Sequence, residues 1–186
     1  MALRNFSLFL LCLSQCLMAD DMGPPVPYRH TSVKTDACHS SSAAMTEEFN
    51  KRDLAAKQCP AVENWSLFVV YSEALSWVEI ARDQRLWSTQ NQVAIQSQLG
   101  RDPHVSSDGV RWLPGQGAVH TLMFNMEAQE DPTPNGPGKR VTRYAIVKLE
   151  GSEPVFCGFA KSEEEAKKLA DNRETCTAAL KQYPYK

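Results

Sequence analysis

Of six cysteines, Cys12 and Cys16 fall in an apolar N-terminal stretch that reads as a removable leader, and the other four, Cys38, Cys59, Cys157 and Cys176, constrain this chain more than any other feature. They fall in two groups near the two ends of the sequence, with spacings of 21 and 19 residues. In an exported chain an even number argues for disulfides, and four cysteines allow three pairings. The spacings favour the sequential one, Cys38–Cys59 and Cys157–Cys176. A zinc site would want close Cys or Cys/His pairs, and only Cys38–His39 is close, so no metal is expected.

Export is read from the first residues. Arg4 gives a positive start, Phe6 to Leu13 is apolar except for Ser7, and Ala19 precedes Asp20 and Asp21. That is the layout of a secretory signal peptide, 1–19, too short to span a bilayer comfortably. Leu13–Ser14–Gln15–Cys16 resembles a lipobox and offers a lipid on Cys16 as the rival. Gln15 fits poorly where a small residue is expected, so simple secretion or release to the periplasm is favoured. No later segment reaches the ~20 apolar residues of a membrane helix. Cleavage at Ala19 would leave 167 of the 186 residues, with 19 basic against 22 acidic side chains once Arg4 is gone. No stretch concentrates positive charge, which argues against nucleic acid as a partner.

Residues 20–36 are rich in Pro and polar residues and read as a flexible leader. From Ser41 to Gln58 the pattern is helical, with Met45, Phe49, Arg52, Ala56 and Cys59 on one stripe and Pro60 as terminator. Leu67 to Tyr71 reads as a strand. "SWVEIA" and "LWSTQ" read as a hairpin broken at Arg82–Arg85, and "QVAIQ" as its continuation or a further strand. Residues 100–109, "GRDPHVSSDG", read as a loop. "VRWLPGQGAVHTLMFNM" is strand, turn, strand, with Leu122, Phe124 and Met126 on one face. Residues 130–140 form a long turn, 141–149 a strand, and "PVFCGFA" a last strand with Val155, Cys157 and Phe159 sharing a face.

Ser162 and Glu165 then spell a capping box, and three glutamates load the first turn of a helix. Its stripe would run Ala166, Leu169, Ala170, Cys176, Leu180, interrupted by Arg173. The expected fold is α+β: one antiparallel sheet of about six or seven hairpin-connected strands, covered by an N-terminal and a C-terminal helix, in a single domain over 37–186. Cys38–Cys59 would tie the first helix's entry to its exit, and Cys157–Cys176 would pin the last helix to the last strand.

Catalytic signatures are sparse. Asp102, His104, Ser106, Ser107 and Asp108 lie within seven residues, but a hydrolase needs base and hydroxyl within hydrogen-bond reach, which sequence neighbours in a loop rarely achieve. His120 is the external base such a site would recruit. The acid spacing does not match an EF-hand, and Gly115–Gln116–Gly117 lacks the helix and lysine of a phosphate loop. No catalytic residue, cofactor or metal ligand is assigned. Trp77, Trp87, Trp112 and Tyr144 are the candidate binding-face aromatics, because "SWVEI" carries apolar residues on both faces of one strand.

"WSLFVVYSEALSWVEIARDQRLWST", "GVRWLPGQGAVHTLMFNM" and "FCGFAKSEEEAKKLADN" together resemble a group of uncharacterised exported bacterial proteins, over about residues 64–176. The resemblance implies a bacterial cell-envelope setting and transfers no activity or site residue. The expected function is therefore a disulfide-stabilised binding module, inhibitor-like or immunity-like, whose partner is a protein or an envelope component. The alternative is an envelope hydrolase using residues 102–108 with His120.

Overall fold

A computed structural model describes residues 28–114, 119–132, 134, 136, 138–151 and 153–185. The expected signal peptide, Cys16 and the Gly115–Gly117 turn lie outside them. The elements are β1 Arg29–Thr31, α1 Ala43–Lys51, β2 Ala55–Cys59, β3 Ser66–Ser72, β4 Leu75–Arg82, β5 Arg85–Ser88, a π-helical turn Asn91–Ile95, β6 Arg101–Pro114, β7 Val119–Gln129, β8 Arg140–Lys148, β9 Val155–Ala160, α2 Glu163–Asp171, a 3-10 turn Arg173–Thr175, β10 Ala178–Ala179 and β11 Lys181–Pro184.

The strands form two antiparallel sheets, not one. One has six strands ordered β1-β6-β7-β8-β9-β10, and the other has five ordered β11-β5-β4-β3-β2. The reason lies in strands that are apolar on both faces. Leu67, Val69, Val78 and Ile80 face one way while Phe68, Val70 and Trp77 face the other, and all seven are buried. Each face needs cover. The first set shares the main core with Trp112, Leu122, Phe124 and Val147 of the six-stranded sheet. The second packs under α1, where the Phe49 and Phe68 rings lie 5.4 Å apart. The six-stranded sheet's outer face presents Met123 and Ile146 to Ala166 and Ala170 of α2. The order of layers is thus α1, five strands, six strands, α2.

The expected helix over 41–58 stops at Lys51. Asp53 adopts a left-handed φ of 55°; Leu54 N–H donates to Phe49 O and Asp53 N–H to Asn50 O. That is a Schellman stop, here without its usual glycine. The chain then turns back as β2, so Cys38–Cys59 ties the approach to α1 to a strand, with Cα atoms 4.2 Å apart. Part of the expected flexible leader is also ordered: β1 pairs Arg29 with Trp112 and Thr31 with Val110. "QVAIQ" is not strand but the π-helical turn.

The β4–β5 hairpin matches the sequence reading. Asp83 and Gln84 both have positive φ, 52° and 62°, the two-residue geometry that suits twisted strands. In β9 the expected alternation fails at a bulge. Phe156 pairs with Val147 and Gly158 with Ile146, leaving Cys157 extra between them. Gly158, at φ 130°, absorbs the irregularity. Cys157 therefore faces α2 while Phe159 faces the inter-sheet core. The Cys157–Cys176 bond forms as expected, with Cα atoms 3.8 Å apart. Ser162 caps α2 and Glu165 returns a bond to Lys161 N–H. The helix ends at Asp171 rather than running on to Leu180. Asn172 leaves the helical region, and its side chain takes up Glu174 N–H. Cys176 thus staples the segment after the helix, and Leu180 is a buried anchor between the edge strands β10 and β11. Among the described residues, no helix is long and apolar enough to cross a membrane.

Candidate functional site

Three of the four aromatics expected to line a binding face are sealed in the interior. Trp77, Trp87 and Trp112 are 0%, 1% and 0% exposed. Trp77 Nε1–H donates to Glu79 at 2.9 Å and Trp112 Nε1–H to Thr31 at 2.8 Å, while the Trp87 ring packs at a tilt against Trp65, 6.0 Å between centroids. Filling the space between layers is what indoles of a two-faced strand do. Tyr144 is half-buried on the six-stranded sheet's outer face, with the Arg111 guanidinium 5.1 Å over its ring.

The expected loop at 100–109 is mostly β6, carried through by register shifts between Arg101 and His104 and between Val105 and Val110. This strand geometry separates the hydrolase candidates. His120 sits six residues from Met126 along β7, about 20 Å at strand rise, and Met126 is the partner of Val105. Its Nδ1 lies 2.6 Å from Thr121 Oγ1. Ser106 is buried and accepts from Asp108 N–H, and Ser107 is exposed. Both ring nitrogens of His104 are engaged by groups other than the serines: Nδ1–H donates to Asp102 O at 2.9 Å, and Nε2 faces Glu127 at 3.8 Å. His39 and His30 stand apart from this region, on the bridge to Gln58 and on β1. Among the described residues no group of three or more His, Cys, Asp or Glu could hold a metal.

What the sheet does bring together is a polar column that sequence spacing hides. α2 covers one half of the outer face, through Ala166 and Ala170. Beyond its start the face opens gradually along β7, from a buried Asn125 through a partly exposed Glu127 to an exposed Gln129. Direct cross-strand partners share a face. Asn125 pairs with Tyr144, Glu127 with both His104 and Thr142, and Gln129 with both Arg101 and Arg140. Asn125 donates to Asp108 at 3.0 Å. Arg140 reaches Glu127 at 3.4 Å and Arg101 reaches Asp131 at 3.7 Å. At the open end, Arg101, Asp102, His104, Gln129 and Arg140 surround a groove of about 320 Å³.

Two glycines and one bulge build the groove. A side chain at Gly100, φ 128°, would collide with the Gln129 carbonyl, and one at Gly138 with the Glu130 carbonyl. Close backbone approach on both flanks of β7 therefore needs glycine. Three residues from Arg101 to His104 span two on β7, so both side chains face outward despite odd spacing. Asp102, at φ 51°, takes the extra residue's strain. Arg101, Glu127, Gln129 and Arg140 were not singled out by sequence. They are up to 39 positions apart, and only strand register joins them. No protein-family model, no curated protein and no solved structure matches the chain.

Proposed function

We propose that this chain is an exported, disulfide-stabilised binding module that recognises a protein or envelope component through the open outer face of β6, β7 and β8. A role as an inhibitor or an immunity-type protector fits its form. One observation carries the reading: the polar face beside α2 is paired in register, while the tryptophans of the sheets, Trp77, Trp87 and Trp112, are spent on the core. An interaction rim is polar and accessible in just this way. Two disulfides suit an oxidising compartment, periplasm or exterior, reached through a signal peptide cleaved near Ala19. Hydrolysis by residues 102–108 with His120 is the weaker reading, since the strand register holds that histidine far from both serines.

A photo-crosslinking residue at Thr142, exposed on this face, tests the proposal in the producing cell's envelope. A discrete adduct from position 142, missing from a control at exposed Glu47 on α1, is expected. Equal labelling at the two positions, or none at either, would sink it.

A further inference from the structure

The groove at the open end of the face has more hydrogen-bond donors than it uses. A guanidinium carries five N–H groups. Arg101 and Arg140 each face one carboxylate, at 3.7 and 3.4 Å, and neither makes a hydrogen bond among the described residues. Their side chains are 49% and 79% exposed. The acceptors nearby are already spoken for. Glu127 is faced by both Arg140 and His104, and the Asp102 carbonyl is held by the His104 ring. Among the described residues the exposed Asp102 carboxylate pairs with neither arginine.

Resting on the reading of this face as a recognition surface, we infer that the groove is an oxyanion site, gripping a carboxylate or phosphate group between Arg101 and Arg140. Both arginines are direct partners of Gln129, one strand to either side, so their Cα atoms stand about 10 Å apart. Both side chains line the same groove, and a guanidinium fork matches an oxyanion bidentately. The Arg101–Asp131 pair is exposed at both ends and the Arg140–Glu127 pair at its arginine end; exposed pairs contribute at most about 1 kcal/mol, so a ligand displaces the first at little cost. The groove's volume admits the anionic group with a small organic body or a side chain behind it. The Gln129 amide, which donates to Gly138 O at 3.5 Å, closes the floor.

The test is an amide-resolved NMR titration of the disulfide-intact protein with sodium phosphate and with sodium succinate, against sodium chloride at matched ionic strength. Saturable shifts at Arg101, His104, Gln129 and Arg140 are expected from at least one oxyanion. A preference for phosphate assigns a phosphate-bearing ligand, and a preference for succinate assigns a carboxylate. Arg101→Gln/Arg140→Gln is expected to weaken binding at least tenfold, and Arg101→Lys/Arg140→Lys, which keeps the charge but not the fork, by less. Unsaturable shifts that chloride reproduces, or equal affinity in the glutamine variant, would overturn the inference. Oxyanion binding lost while position 142 still cross-links removes this inference alone. Oxyanion binding retained with no adduct removes the macromolecular reading and leaves a small-anion site.

Discussion

Arg52 and Glu79 meet in a bidentate pair between α1 and β4, with Nη1 and Nη2 donating at 2.8 and 2.5 Å to a carboxylate that has no solvent exposure. Trp77 donates to the same carboxylate, and the Tyr183 ring of β11 lies 3.8 Å from the guanidinium carbon. One arginine therefore holds the first helix, the central strands and the last strand together. Arg52→Ala strands a buried carboxylate, and a loss of about 3–5 kcal/mol is expected in urea unfolding. Replacing the pair with Met and Leu should cost much less. A loss under about 1 kcal/mol for Arg52→Ala would mean that water takes the place of the guanidinium at Glu79.

The second disulfide sits on the α2 side of the six-stranded sheet, away from the groove. Cys157→Ser/Cys176→Ser is expected to lose about 3 kcal/mol, a fall in Tm of roughly 6–12 °C for a chain of this size. Cross-linking from Thr142 should persist. Free thiols by intact mass in the purified native protein would remove the premise.

Much of the local structure was legible and much of the assembly was not. The β4–β5 hairpin, the capped start of α2 and the sequential disulfides each rest on neighbours in sequence, and the structure contains all three. α1 was overextended because a Schellman stop at Asp53 uses backbone geometry that an aspartate does not advertise. The single-sheet expectation failed although its clue was present, since Phe68 and Val69 point in opposite directions and both are buried. The groove had no local signature at all. Its arginines become neighbours only through Gln129, and a bulge at Asp102–Pro103 breaks the alternation that would have placed His104 on the face opposite Arg101.

Alkaline pH should destabilise the fold through its phenols. Burial raises the Tyr71 pKa, and burial together with the Asp83 charge raises that of Tyr185. A raised folded value means that this stability is complete below the unfolded phenol pKa, about 10, and is lost as pH climbs through the folded values. The urea midpoint should therefore drop between pH 9 and pH 11, and drop less in Tyr71→Phe. Arg52 adds nothing to that window. Burial opposes its charge, but the Glu79 hydrogen bonds and charge outweigh burial and raise its pKa, so its contribution persists below the unfolded guanidinium value. Identical pH curves for the native protein and Tyr71→Phe would discard this account.

The groove can be damaged without touching any side chain that lines it. Gly100 borders β6, and its left-handed φ and missing Cβ let the strand start beside the Gln129 carbonyl. Gly100→Ala must move one backbone or the other, at a cost of about 1–3 kcal/mol. The shift falls on Arg101 and the bulge behind it, so phosphate or succinate binding should weaken severalfold more than the stability loss explains. Gly151 offers the control. It also has a positive φ, 86°, nothing stands within 4 Å of its added Cβ, and it lies on the turn between β8 and β9. Gly151→Ala should pay the backbone strain yet bind oxyanions as the native protein does. Equal binding losses in the two variants would mean that the groove senses global stability and not the approach of Gly100 to Gln129.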